Sequence, residues 1–334
     1  MNLYIPYSKE KIHSYIKKRP GETKFGESAL TINDLQELKT TSARYVLLGI
    51  PEDVGVKANR GVAGTSNAWE ACLKSLLNMQ ANAHTRPGNL IVLGEIDCKT
   101  EVKAAETLDK IEENYHEELS KIVTQIDTKV ATIIEHIVKA GKTPVIIGGG
   151  HNNSYGNIKG TSLAVKKPLS VVNFDAHSDF RTTEHRHSGN GFSCAYEQGF
   201  LKHYFIFGLH KNYTSQTIFD RLRENREHIS YILFEQIMVD QTKSFEQALV
   251  EAEDFMGNGN FGLELDLDAI QNIPSSAKTP SGFSVNDSRR FISFFSKNSN
   301  VTYLHLCEAA PHPGTDEEKQ TGKLLAYLII DFIG

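Results

Sequence analysis

The chain is expected to be an α/β protein: a mainly parallel β-sheet with helices on both faces. Three observations carry that expectation. Short apolar, β-branched runs recur along the chain, amphipathic stretches separate them, and His and Asp residues gather where the runs end. Alternation of strand and helix on this scale is the pattern of βαβ units. Runs apolar throughout, rather than at every second residue, suit strands buried on both faces.

Taken in order, residues 1–40 read as an N-terminal helical extension packed on the outside, and residues 41–334 as one domain. Strands are expected at Tyr45–Ile50, Leu90–Leu93, Pro144–Ile147, Leu169–Phe174, Tyr204–Phe207, Ile229–Phe234, Phe261–Leu265 and Val301–Leu306. The clearest helical stretch is Ala104–Ala140, where Ile111, Tyr115, Leu119, Ile122, Ile126, Val130, Ile133 and Ile137 recur at helical spacing. A last apolar helix is expected over Gly322–Ile333. No repeat, low-complexity tract or long Pro/Ser-rich linker divides the chain.

With 334 residues, 40% of them hydrophobic, the chain can bury a substantial core. A formal charge of −5 provides no overall positive field for nucleic acid or an anionic membrane. The basic runs Lys9-Glu10-Lys11 and Lys17-Lys18-Arg19 are short and read as solvated helix faces. Cys72, Cys98, Cys194 and Cys307 form no CxxC pair and read as small buried hydrophobes. No apolar run approaches a membrane span or a signal peptide, so a soluble cytoplasmic protein is expected.

Ligands of open parallel sheets sit beyond the carboxyl ends of the strands, and three such ends are rich in chemistry. The first reads Ile147-Gly148-Gly149-Gly150-His151; a phosphate loop would place Lys and Ser/Thr after the glycines, and His151 stands there instead. The second, Asp175-Ala176-His177-Ser178-Asp179, points three ligands to one side of an extended chain. The third, Glu264-Leu265-Asp266-Leu267-Asp268, again spaces carboxylates evenly. Carboxylates crowded together without a cation resist ionisation. His151, Asp175, His177, Asp179, Asp266 and Asp268 together suit two divalent cations. Oxygen-rich donors without thiolate favour Mn2+, with Ni2+ or Co2+ as alternatives.

The order GGGH, DAHSD, DLD resembles the arginase (ureohydrolase) superfamily over roughly residues 45–310. The segments Pro51-Glu52-Asp53-Val54-Gly55-Val56-Lys57-Ala58-Asn59 and Arg186-His187-Ser188-Gly189-Asn190-Gly191-Phe192 most resemble its formimidoylglutamases. The resemblance implies a three-layer α/β/α sandwich and a trimer or hexamer of identical chains. It implies that His151 and Asp179 hold one Mn2+, His177 and Asp268 the other, and that Asp175 and Asp266 bridge them. It implies hydrolysis of the C–N bond of N-formimidoyl-L-glutamate, giving L-glutamate and formamide, by a hydroxide shared between the metals. Asp179 is then the proton acceptor, and Glu308, on the last strand, meets the cationic amidine.

His187 and His185 are candidate proton relays. Ser188, Asn190, Arg186, Arg60 and Arg181 are candidates for the substrate's carboxylates, with Lys211 and Tyr213 behind them. The chain departs from the family at Phe192, where arginases carry a catalytic His, at Glu264, where Ser or Thr is usual, and at Gln271-Asn272 and Ser275–Gly282. Alternative readings are a ureohydrolase acting on arginine, agmatine or guanidine, and a metal-binding pseudoenzyme or interaction module without turnover.

Overall fold

A computed structural model describes residues 3–334. Nine strands form one sheet: β1 (Tyr4–Pro6), β2 (Tyr45–Gly49), β3 (Leu90–Ile96), β4 (Thr143–Ile147), β5 (Leu169–Phe174), β6 (Leu201–Leu209), β7 (Ile229–Leu233), β8 (Phe261–Asp266) and β9 (Val301–Cys307). Their spatial order is β1-β3-β2-β4-β9-β8-β5-β6-β7. Every pairing is parallel except that of β1 with β3. All eight strands expected from the sequence are present.

Successive residues of a strand point to opposite faces, and the two apolar cores divide accordingly. Leu47, Val92, Val145 and Val172 face the helices Ala68–Leu76, Phe245–Met256, Val285–Phe295 and Asp316–Ile333. Val46, Leu48, Ile91, Ile146 and Val171 face the helices Tyr115–Lys139 and Asn153–Val165. The architecture is the expected three-layer α/β/α sandwich.

Three expectations are corrected. The N-terminal extension, of which Met1 and Asn2 lie outside the described residues, is not wholly helical. Its Tyr4–Pro6 extends the sheet, and Gly94 (φ 130°) permits the approach, since a Cβ there would stand 2.0 Å from the Ile5 carbonyl oxygen. Short helices at Lys9–His13, Phe25–Ser28 and Leu35–Lys39 follow. Second, the stretch 104–140 is broken into helices Lys99–Glu106 and Tyr115–Lys139. Between them Thr107 Oγ1 donates to the Ala104 carbonyl and Asp109 Oδ1 accepts the Ile111 N–H, local bonds that compete with helix. Ile111 is consequently 91% exposed, whereas the other seven residues of the expected stripe are buried. Third, the last helix begins at Asp316 rather than Gly322, with Asp316, Glu317 and Glu318 in its first turn, where they complement the helix dipole.

The four cysteines are free and buried. Among the described residues, no helix is long and apolar enough to cross a membrane. The chain leaves β4 through helix Asn153–Val165 and enters β5, skipping two positions that β9 and β8 later fill. A crevice outside the carboxyl ends is expected at such a switch point.

Candidate metal centre

The carboxyl ends of β4, β9, β8 and β5, four neighbours in the sheet, bring the expected ligands together. His151 follows β4, Glu308 follows β9, Asp266 ends β8 with Asp268 two residues on, and Asp175, His177 and Asp179 follow β5. His151 Nδ1 lies 2.8 Å from Asp179 Oδ2, 3.1 Å from Asp266 Oδ2 and 3.3 Å from Asp175 Oδ2. These four residues present donors within 4.8 Å of one another. Beside them, His177 Nδ1 lies 3.6 Å from Asp175 Oδ1 and 3.9 Å from Asp268 Oδ2. Asp175 thus turns one oxygen to each histidine.

The loops are held by their own backbones. The His177 N–H donates to Asp175 Oδ1 (2.7 Å) and the Asp268 N–H to Asp266 Oδ1 (2.6 Å). Asp268 also accepts the Ala277 N–H and the Ser276 hydroxyl. The glycine run before His151 is shaped by Glu52, a fully buried carboxylate. It accepts the Gly150 N–H and the side-chain amides of Asn152 and Asn153, and also the N–H groups of Val54 and Gly55. Gly149 (φ 68°) must be glycine, because a Cβ there would stand 2.2 Å from Asn153 Nδ2 and 2.7 Å from Glu52 Oε1.

The electrostatics fit bound cations. Burial raises the pKa of Asp179, Asp266 and Asp268; Asp175 adds to the rise at Asp179, and Asp268 and Asp175 to that at Asp266. Burial opposes ionisation of Asp175 too, but hydrogen bonds with His151 and His177 outweigh it and hold that carboxyl low. Burial, then the Asp268 charge, pushes Glu308 up to about 8. Glu308 Oε1 accepts the His151 N–H at 2.6 Å, while Oε2 is buried without a partner. Six nitrogen and oxygen donors around one crowded negative centre suit two hard or borderline divalent cations.

A cleft of about 570 Å³ opens over the centre, lined by His177, Asp179, Asp266, Asp268 and Glu308, and at its mouth by Asn59, Arg181, Ser188, Tyr213 and Thr214. Ser188 and Arg181 meet at this mouth through Asn59: its Nδ2 donates to Ser188 Oγ (3.1 Å) and its Oδ1 accepts from Arg181 Nη1 (3.2 Å). Tyr213 stacks on the His177 ring at 5.3 Å.

Other sequence candidates fall elsewhere. Arg186 grips buried Asp127 through Nε (2.8 Å) and Nη2 (3.0 Å) and donates to the Asn152 carbonyl, so it is an internal partner rather than a substrate clamp. Asn190 spends its amide on the Thr182 and His185 carbonyls and its oxygen on Arg186 and the His187 N–H. Arg60 (φ 65°) and His185 border, with His187, a neighbouring cavity that shares Asn59, Arg181 and Thr182 with the cleft but does not reach the ligand cluster. His187 Nδ1 accepts the Gly189 N–H, and burial, then Arg181 and Arg186, lower its pKa to about 4. It is held neutral, which suits a loop cap better than a proton relay. Lys211 is absent from the cleft lining. Asn59, Thr214, Ser215 and Thr217 line the cleft without having been singled out as site residues; the hydroxyl-rich run after β6 was the available signal.

A family model described as the arginase family matches residues 43–334. A formimidoylglutamase from Geobacillus sp. (strain WCH70) is 26% identical over 335 residues, covering 97% of this chain and 94% of that protein. One from Macrococcus caseolyticus is 26% identical over 287 residues, covering 85% and 82%. Among solved structures, Trypanosoma cruzi formiminoglutamase with Mn2+ superposes with a TM-score of 0.73 at 18% identity, covering 93% of this chain and 99% of that one. The Bacillus subtilis formimidoylglutamase gives 0.74 at 16% identity, covering 95% and 93%.

Proposed function

We propose that this chain, which belongs to the arginase family, is a binuclear metal hydrolase that cleaves N-formimidoyl-L-glutamate with water to L-glutamate and formamide. The observation that carries this reading is Glu308 Oε2, a buried, unpartnered carboxylate oxygen on the floor of the cleft beside the six ligand donors. Such an oxygen calls for a cationic N–H donor, and a protonated amidine is one. The likeness to formimidoylglutamases, across nearly the whole chain, supports the same substrate.

His151 and Asp179 would hold one Mn2+, His177 and Asp268 the other, with Asp175 and Asp266 shared. When bound, the two cations supply Lewis acidity and lower the pKa of a water between them. The chain's own groups do the rest. Glu308 Oε2 accepts the amidine N–H and sets the amidine carbon over the centre. Asp179, facing the cleft, accepts the proton of the attacking water and delivers it to the departing glutamate nitrogen as the C–N bond breaks. Arg181, Asn59 and Ser188 receive the substrate's carboxylates at the mouth.

The test is hydrolysis by Mn2+-loaded protein of formimidoylglutamate, arginine, agmatine and guanidine in parallel, with Asp266→Ala as control. Formamide and glutamate from the first substrate alone, lost in the variant, are expected. Urea from a guanidino substrate would overturn the substrate assignment.

A further inference from the structure

Behind His151, on the side away from the cleft, lies a second cluster of titratable side chains. Even spacing along β8 puts Gly262, Glu264 and Asp266 on one face, and the neighbouring strand pairs them with Tyr303, His305 and Cys307. Gly262 makes room: a Cβ there would stand 2.3 Å from the Tyr303 ring, which lies across the strand. Tyr303 Oη can thereby donate to Glu264 Oε1 (2.7 Å), while His305 Nδ1 meets Glu264 Oε2 (2.5 Å).

His305 Nε2 lies 3.3 Å from the Gly148 carbonyl. Both ring nitrogens of His305 therefore face oxygen atoms of the fold, which fixes the ring in place. Glu264 and His305 are fully buried, so each has the other, rather than water, as its hydrogen-bond partner.

His151 stands between this pair and the ligand cluster. Its Nε2 is buried, without another partner, and 3.4 Å from Glu264 Oε2, while Nδ1 faces Asp175, Asp179 and Asp266. A histidine can give a cation its Nδ1 lone pair only with the proton on Nε2, and a carboxylate oxygen placed behind Nε2 to accept that proton's hydrogen bond selects that tautomer.

We infer that Glu264, kept in place by His305 and Tyr303, is a positioning residue that sets the tautomer and orientation of His151 toward the metal on that side. The inference rests on the binuclear reading above. It concerns the very position where the chain departs from the family's usual Ser or Thr, and it gives that departure a function: the carboxylate has a partner of its own, His305, on the adjacent strand.

The experiment is Mn2+ titration of the purified full chain, following free Mn2+ by electron paramagnetic resonance, for wild type, Glu264→Gln, Glu264→Gln/His305→Gln and Tyr303→Phe. Wild type is expected to bind two ions. Both Glu264 variants are expected to bind one of them about 10–100-fold more weakly and the other unchanged. The double variant replaces the buried carboxylate and its imidazole partner together, so it keeps the test valid where the single one fails to fold. Tyr303→Phe, which loosens the same network without removing its carboxylate, is expected to change either affinity less than about threefold, against that 10–100-fold range. Two unchanged affinities in folded Glu264 variants, or equal losses in these and Tyr303→Phe, would overturn the inference alone. Wild type binding fewer than two ions would overturn the binuclear reading beneath it.

Discussion

The two histidines of the centre are held in opposite ways. His151 is fully buried, wedged between the edge of Phe192 at 5.0 Å and the Glu264–His305 pair, on a loop that Glu52 ties down from below. His177 has 27% of its side chain exposed and leans on an aromatic stack, Tyr213 then His210 then Phe234, whose outer member borders the cleft. One half is an inner wall of charge and hydrogen bonds in a low dielectric; the other is a mouth of rings, hydroxyls and the Arg181 guanidinium held by Asn59. Strong, short-range order belongs where ions are to stay, and adaptable contacts where a substrate must enter and leave.

The wall's largest dependence is on Arg186. Arg186→Ala strands Asp127 in the interior, and a loss of about 3–5 kcal/mol of stability is expected on thermal or urea melts, with KM unchanged in whatever protein remains folded. Raised KM at full stability would move Arg186 from wall to mouth and erase the contrast. Arg181→Ala is its counterpart. Removing a charge-assisted contact worth about 1.5–3 kcal/mol is expected to raise KM about ten- to hundredfold, leaving kcat and the melting temperature alone.

A third test is pH. His187 has a folded pKa of about 4, below its ordinary 6.5, because burial and then Arg181 and Arg186 disfavour its charge. Between those values the unfolded chain binds more protons, so stability is fully present above about 6.5 and is lost as pH falls toward 4. With its partial exposure discounted, the loss is on the order of 2 kcal/mol. His187→Asn is expected to flatten that part of the stability–pH curve; an unchanged slope would remove His187 from the wall.

The smallest effect belongs to the mouth. Tyr213→Leu forfeits ring stacking worth about 0.5–1.5 kcal/mol, so the ion beside His177 is expected to weaken by about two- to tenfold while the ion beside His151 is untouched. Equal weakening of both would show that the halves are not independent.

The frame was largely readable from the chain. Strands buried on both faces announce themselves as unbroken apolar runs, and GGGH, DAHSD and DLD sit at strand ends in one order. Tyr4–Pro6 escaped notice because three residues, one of them proline, carry no periodicity, and its pairing with β3 depends on Gly94 far along the sequence. Roles within the Arg186–Asn190 loop were not legible, since a run of polar residues does not reveal which side chains turn inward to Asp127 and which outward. The Glu264–His305 pair was invisible for a related reason: it exists only through the register of β8 on β9. Candidate residues written in local spacing can be read and are found clustered, while partners supplied across strands must be seen.

The most direct test of the account is a crystal of the protein grown with Mn2+ and measured at the manganese absorption edge. Two anomalous peaks about 3.5–4 Å apart are expected, one against His151 and Asp179, the other against His177 and Asp268, with Asp175 and Asp266 between. A single peak, or a peak among Glu264, His305 and Cys307, would contradict it.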